Sequence, residues 1–216
     1  GSEMCIRDRC FICFVSSHLS LKAQDSAKVL NEIPNDFKKR SPIYDYSENQ
    51  LNNIDTIPEF ETKANKLKIT GTIFQNDGVT PAKDVMLYIE QADENGDYQI
   101  KTQNDKRYLQ HRGWVKTNAD GQYTLYTFVP GSAIVPITLP RRIGPKQIYP
   151  VIKEPGKEEY NLEAFLFDDD PLLTNTCRKR LKRKGIDCIL KLEKKEDMYV
   201  VTKNIVLDQT MPAYNK

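Results

Sequence analysis

The chain has 216 residues, and its 32 Lys and Arg residues nearly balance its 30 Asp and Glu residues, leaving a formal net charge of +2. This balance gives no reason to expect a nucleic acid partner, because nucleic-acid-binding domains carry a large excess of positive charge. No segment is long and apolar enough to predict a transmembrane helix, so the composition indicates one domain with a sizeable core.

The first 24 residues are predicted to lie outside the mature domain. Residues 1–9, GSEMCIRDR, can be back-translated into a transposase-type sequencing adaptor read in frame, so we treat them as an artefact. The apolar run CFICFV opens residues 10–24, which end in small and polar residues. This pattern is typical of the later part of a secretory signal peptide, with a buried strand as the alternative. We therefore expect an exported protein, either secreted or periplasmic.

Two of the five cysteines, Cys177 and Cys188, lie beyond these segments. In an oxidising compartment such a pair is expected to form a disulfide. Closing so short a loop would contribute about 3 kcal/mol or slightly less to stability. Two free buried thiols are the alternative, and two cysteines without a nearby histidine make a poor zinc site.

Residues 25–64 differ from the rest of the chain in composition. They are polar, contain three scattered prolines and show no sustained hydrophobic period. We predict an N-terminal arm that lies over the domain and does not fold alone.

Residues 65–216 have the pattern of an all-β domain. Short alternating or β-branched segments are separated by turn residues such as Asn-Gly and Pro-Gly, which predicts a β-sandwich of seven or more strands. One short helix is predicted at about residues 172–184, and the last strand segment is predicted to be a closing hairpin. The strand segments are, in chain order, KLKITGTIF, VMLYIEQAD, GWVKT, QYTLYTFV, IYPVIK, EAFLF and CILKLEKKEDMYVVTKNIVL.

The order of motifs in this domain resembles that of the intradiol ring-cleavage dioxygenases, in particular their shorter secreted bacterial members. The resemblance covers about residues 67–207 and rests on LKITGTIFQNDGVTPAKDVMLYIEQADENGDY, RGWVKTNADGQYTLYTFVPG and FLFDDDPLL. It implies a β-sandwich of the intradiol dioxygenase catalytic-domain type. It also implies a non-haem Fe(III) cofactor held by two tyrosines and two histidines, cleavage of catechols between their two hydroxyls, a place in the bacterial envelope, and homodimers as a common assembly.

The resemblance assigns four positions of this chain to the iron ligands. Tyr98, in Gly-Asp-Tyr, matches the first tyrosine, whereas Ala133, in PGSA, stands at the position of the second. Gln147 and Tyr149, in PKQIY, stand at the two histidine positions. Arg142 lies close to the position of an arginine that usually precedes the histidines. Tyr98 is thus the one ligand of the family that is retained.

Two functions follow from this ligand set. The first is a binding or structural module without catalytic activity, which uses a cleft lined by Tyr98, Arg142, Gln147 and Tyr149 for a small aromatic ligand. The second is an active dioxygenase that cleaves catechol-type compounds with O2 through an altered metal site. The missing donors favour the first, because a ferric ion needs anionic or imidazole donors and an amide oxygen binds it weakly.

Three other features have simpler interpretations. His111 is expected to be a surface or core residue, because it does not match a ligand position. The basic run RKRLKRK, residues 178–184, is interpreted as a solvated helix face, with an anionic partner as the alternative. The acidic run Asp168–Asp170 is interpreted as a turn in which Asp170 or a neighbour caps the helix.

Overall fold

A computed structural model describes residues 33–47, 51–135 and 142–207, with only the backbone given for residues 134, 135 and 142. The predicted adaptor and signal segments, residues 1–24, lie outside the described residues. In the described ranges, no helix combines the length and the apolar character needed to cross a membrane.

The described strands, numbered along the chain, form two six-stranded sheets and two small hairpins. Sheet I is the six-stranded sheet that contains β1. It contains, in spatial order, β1 (Ile54–Thr56), β7 (Gln122–Phe128), β2 (Lys66–Phe74), β15 (Met198–Thr202) and β14 (Glu193–Lys195), with β16 (Ile205–Val206) also paired to β2.

Sheet II carries most of the residues that the sequence singles out. It contains, in spatial order, β13 (Ile189–Leu190), β12 (Phe165–Phe167), β10 (Gln147–Lys153), β3 (Met86–Gln91) and β6 (Arg112–Lys116), with β11 (Glu159–Asn161) also paired to β10. The two hairpins are β4 (Ile100–Gln103) with β5 (Lys106–Leu109), and β8 (Ile134–Val135) with β9 (Arg142–Ile143).

Alternation of apolar and polar residues explains the strands of sheet I. In β2, Leu67, Ile69 and Ile73 are buried and the residues between them are partly exposed. The antiparallel register places Ile69 opposite Leu125 of β7, so the apolar residues of both strands share one face. That face packs against sheet II around one apolar core.

The arm covers the opposite face of sheet II, called here the outer face. Ile43 and Leu51 pack there against Met86, Tyr88 and Trp114 in a second apolar cluster. The Trp114 indole N–H donates to the Pro42 carbonyl, and the strand β1 pairs with β7 in parallel. The described part of the arm therefore packs on both sheets and contributes a strand that the sequence pattern does not indicate.

The predicted fold class, a β-sandwich with one short helix, is confirmed. The helix α1 spans Asn175–Arg183, and its N-cap is Thr174, whose hydroxyl accepts from the Cys177 amide, and not Asp170. The predicted closing hairpin is only partly correct. β14 and β15 form a hairpin, but β13 pairs with β12 in sheet II, and β15 and β16 pair with β2 in parallel.

A buried glutamine links the two sheets across the core. The Gln91 side chain of β3 donates to the Phe128 carbonyl at 3.0 Å and accepts from the Thr127 hydroxyl at 2.7 Å. Both acceptor and donor lie on β7, and Gln91 and Thr127 are almost fully buried. These hydrogen bonds hold β3 of sheet II against β7 of sheet I. Moving the strands apart would leave buried polar groups without partners, which costs free energy.

We expect Gln91→Leu to lower the free energy of unfolding by about 2 kcal/mol, because it leaves the Thr127 hydroxyl buried without its acceptor. The double variant Gln91→Leu/Thr127→Val should lose less than the sum of the two single variants, since it also removes the unpaired hydroxyl. Urea denaturation of the four proteins measures this coupling. If the loss of unfolding free energy in the double variant equals the sum of the losses in the two single variants, the hydrogen bond between Gln91 and Thr127 is contradicted.

Candidate functional site

The turn that presents Tyr98 is built around a buried carboxylate. Asp93 accepts through Oδ1 from the backbone amides of Asn95 and Asp97, and through Oδ2 from the Gln99 side chain. Burial alone would raise the pKa of Asp93, but the hydrogen bonds from Asp97, Gln99 and Asn95 outweigh it and leave the pKa below its ordinary value. The carboxylate therefore holds residues 93–99 in one shape.

This turn meets the loop that follows β7 through backbone contacts. The Gly131 amide donates to the Asp93 carbonyl at 2.7 Å. A Cβ on Gly96 would lie 2.2 Å from the Ser132 carbonyl oxygen, and a Cβ on Gly131 would lie 2.5 Å from the Gly96 nitrogen. Both positions require glycine, and Gly96 also has a left-handed φ of 87°. The contact brings Tyr98 and Ala133 into one region.

A third segment, which precedes β10, completes the frame. The Gly144 amide donates to the Ala133 carbonyl at 2.8 Å. The Lys146 amide donates to Oδ2 of Asp170 at 2.5 Å, and Oδ1 of Asp170 accepts from the Leu172 amide at 2.8 Å. Asp170 is nearly fully buried, so its role is to fix the start of β10 and not to cap α1.

Tyr98 and Tyr149 lie close enough for the Tyr149 hydroxyl to act on the pKa of Tyr98. Burial, then the Tyr149 hydroxyl and the nearby charge of Glu90, raise the pKa of Tyr98 above its ordinary value. Tyr149 is 37% exposed and lies on β10 opposite Glu90 of β3. The retained tyrosine position and one histidine position therefore lie near each other, and burial favours the neutral phenol of Tyr98.

Gln147 and Tyr149 share the outer face of sheet II, because they alternate along β10 with the buried residues Ile148 and Pro150. Gln147 is half-buried, and its backbone pairs with Leu166 of β12. An amide and a phenol therefore stand side by side at the surface, next to the half-buried Tyr98.

A charged cluster that the sequence analysis did not predict lies where the arm meets β5 and β6. Oδ2 of Asp45, in the arm, lies 2.7 Å from the Lys106 ammonium and 3.8 Å from Nη1 of Arg112, and Oδ1 accepts from Arg40 at 3.2 Å. The Arg112 guanidinium packs over the ring of Tyr108, 3.8 Å from its centroid. The sequence holds no signal for this cluster, since its members come from the arm, β5 and β6.

Glu90 connects the cluster to the surface tyrosines. It accepts from the Tyr88 hydroxyl at 2.8 Å, and the charge of Arg112 acts on the same hydroxyl. Burial and the charge of Glu90 raise the pKa of Tyr88 well above its ordinary value. The negative charge of Glu90 thus lies between a buried arginine and the Tyr98–Tyr149 pair.

The predicted site residues are placed as follows. Tyr98, Ala133, Gln147 and Tyr149 are brought into one region by the frame described above. Arg142 lies in β9, and its side chain is outside the described part of the structure, so its place in the cleft stays a prediction.

His111 belongs to the core. Its Nε2 lies 3.1 Å from a carboxylate oxygen of Glu59, and its ring packs edge-on against Phe128 at 5.0 Å. Within the described residues its Nδ1 has no hydrogen-bond partner. The expectation of a core residue agrees with this position.

Cys177 and Cys188 are free cysteines in the structure. Cys177 is half-buried on the first turn of α1, and Cys188 is buried, which raises the pKa of its thiol. The disulfide between them is therefore not shown and stays a prediction.

A ferric ion with phenolate and imidazole ligands does not fit these residues. Burial raises the pKa of Tyr98 and so disfavours its phenolate, Ala133 offers no donor atom, and Gln147 offers only an amide oxygen. Over the ranges that the structure describes, no group of three or more His, Cys, Asp or Glu side chains is placed to hold a metal ion.

The likeness of this chain to known proteins is seen in its fold and not in matches of its sequence. No model of a known protein family matches the chain, and no curated protein matches it either. Among solved structures, the dioxygenase domain of a dioxygenase–carbohydrate-binding protein fusion from Streptomyces sp. is 22% identical with a TM-score of 0.53, covering 71% of this chain and 86% of that chain. The 3-chlorocatechol 1,2-dioxygenase of Rhodococcus opacus is 22% identical with a TM-score of 0.54, covering 70% of this chain and 63% of that chain.

The catechol 1,2-dioxygenase of Acinetobacter sp. is 17% identical with a TM-score of 0.55, covering 71% of this chain and 56% of that chain. The match thus spans less than two thirds of the length of these last two enzymes. At such identities the likeness shows the fold alone, and at that level the predicted resemblance to intradiol dioxygenases is confirmed.

The raised pKa of Tyr98 predicts its behaviour in alkaline titration. Because the pKa of Tyr98 is raised, Tyr98→Phe should leave the phenolate absorbance that develops between about pH 9 and pH 11 unchanged. The raised pKa also means that the stabilising contribution of Tyr98 is complete below about pH 10, the ordinary tyrosine value, and declines as the pH rises further. The loss of one titrating phenol in this range would contradict the assignment.

Proposed function

We propose that this protein is a non-catalytic binding module on the intradiol dioxygenase fold, and that it is exported. The proposed ligand is a small aromatic compound bound at the surface formed by Tyr98, Gln147 and Tyr149. The observation that carries the proposal is that Gln147 and Tyr149 share a partly exposed face of β10 near Tyr98, at a place where the resemblance implies bonds from tyrosines and histidines to iron.

Loss of the reaction follows from the chemistry of the donors. Cleavage of a catechol by O2 requires a metal that both substrates can reach, and three of the four matching positions lack the family's donor atom. Tyr98, at the remaining ligand position, would have to lose its proton before it could bind a metal as a phenolate. The raised pKa of Tyr98 opposes that step.

Gln147 and Tyr149, the residues at the two histidine positions, support binding of an aromatic ring. Tyr149 exposes part of its ring, and Gln147 beside it has both a donor and an acceptor in its amide. Glu90, opposite Tyr149, offers a carboxylate acceptor for a ring hydroxyl. A flat hydroxylated ring therefore finds a stacking surface and hydrogen-bonding groups at one place.

The rival function is an active dioxygenase with an altered metal site. It would use Tyr98 and Tyr149 as phenolates together with a carboxylate. The two functions are distinguished by whether the protein consumes oxygen in the presence of catechol. With catechol, air and added ferric iron, we expect no oxygen uptake above that of a protein-free control, whereas catalytic uptake that Tyr98→Phe abolishes would establish the rival.

We expect catechol to bind the metal-free protein, in buffer that contains a chelator, and Gln147→Ala or Tyr149→Ala to weaken this binding about tenfold, which corresponds to 1.4 kcal/mol. Isothermal titration calorimetry measures the change. The matched control is Gln122→Ala, an exposed glutamine on β7 of sheet I, which should bind as the unaltered protein does. Absence of binding, or an equal loss in the control, would contradict the ligand site.

A further inference from the structure

The helix α1 carries a group of unpaired positive charges. Leu181 is buried and anchors the helix, and Arg178 is bound to the Asp168 carboxylate and carbonyl. The other basic residues are exposed and form no ion pair with any residue in the described ranges. They are Lys179, Arg180, Lys182, Arg183 and Lys184.

A groove lined by lysines lies at the edge of the sandwich, between β2 and β15 on one side and residues 187–195 on the other. Its volume is about 620 Å³, and its lining includes Lys68, Lys191 and Lys195 together with Thr70 and Thr202. This volume is within the range of about 300–1,000 Å³ that is usual for ligand sites.

Half of the positive charge in the groove is not neutralised by acidic residues of its own lining. Lys203 is buried in an ion pair with Asp187 at 2.7 Å, and Lys195 lies 3.9 Å from Glu193 with both side chains exposed. Lys68 and Lys191 form no ion pair with the described residues. The acidic residues of the lining therefore balance two of its four lysines at most.

The helix ends next to the groove in the chain. α1 ends where Gly185 adopts a φ of 68° and the Ile186 amide returns to the Leu181 carbonyl at 3.0 Å. Asp187 of the groove follows Lys184 by three residues, so their Cα atoms are at most about 11 Å apart.

Helix stability alone does not account for this arrangement. A cation near a helix C-terminus contributes about 0.3–1 kcal/mol, and the effect is limited to the last turn. Adjacent exposed cations also repel one another, and the chain as a whole carries a charge of only +2. A local excess of this kind indicates a counter-charge that comes from another molecule.

We propose that α1 and the lysine groove together bind an acidic polysaccharide. The carboxylates of uronic acid residues would pair with the lysines and arginines, and the hydroxyls of Thr70 and Thr202 would bond to sugar hydroxyls. No aromatic side chain lines the groove, whereas single-stranded nucleic acids are bound largely by stacking on aromatic rings. The surface lies apart from the outer face of sheet II, so it does not depend on the function proposed for that face.

The test is binding of the full chain to polygalacturonate, measured by calorimetry at several salt concentrations. We expect the association constant to fall as salt increases, and neutral dextran not to bind. The groove variant Lys68→Gln/Lys191→Gln and the helix variant Arg180→Gln/Arg183→Gln should each bind about tenfold more weakly. The control variant Lys39→Gln/Lys101→Gln removes the same charge from exposed lysines elsewhere and should leave binding unchanged.

Three results would overturn the proposal. The first is that polygalacturonate does not bind. The second is that the control variant loses as much affinity as the groove and helix variants, which would show an effect of net charge alone. The third is that duplex DNA binds more tightly than polygalacturonate at the same salt concentration, which would assign the surface to a nucleic acid.

Discussion

The backbone contact between the Asp93 turn and the loop after β7 is the constraint on which the candidate site depends. The turn follows β3 of sheet II along the chain, and the loop follows β7 of sheet I. The two segments approach so closely that Gly96 and Gly131 have no room for a side chain. This contact brings the segments of Tyr98 and Ala133 together, and Gly144 then attaches the start of β10 to the same loop.

The hydrogen bonds described for this frame use no side chain at the four ligand positions. Asp93 and Asp170 accept hydrogen bonds from backbone amides, Asp93 also accepts from the Gln99 side chain, and the remaining bonds join backbone to backbone. The frame therefore tolerates the replacement of side chains at these positions, which in an intradiol dioxygenase would remove the iron.

Much of the fold could be predicted from the sequence, because most strands of the sandwich alternate between buried and exposed residues. β2 and β7 show this period and were located within one residue of their bounds. β1 has only three residues, and its pairing with β7 is decided by contacts that no local pattern records. The closing segment was predicted less well, since β13 and β15 belong to different sheets and a local period does not specify the partner strand.

The site could be located from the sequence but not explained by it. The order of motifs pointed to Tyr98, Ala133, Gln147 and Tyr149, and the frame brings these positions together. The roles of Asp93, Glu90 and Asp45 were missed, because each depends on partners distant in the chain.

The most direct test of the central claim is a titration of the metal-free protein with ferric iron, followed by visible absorbance and by the iron retained after gel filtration. Tyrosinate bound to Fe(III) gives a visible charge-transfer band that adventitious iron does not. We expect no such band and no stoichiometric iron, because the raised pKa of Tyr98 opposes formation of its phenolate and the other three positions lack the family's donors. One equivalent of retained iron together with that band would contradict the claim that the ligand set is lost.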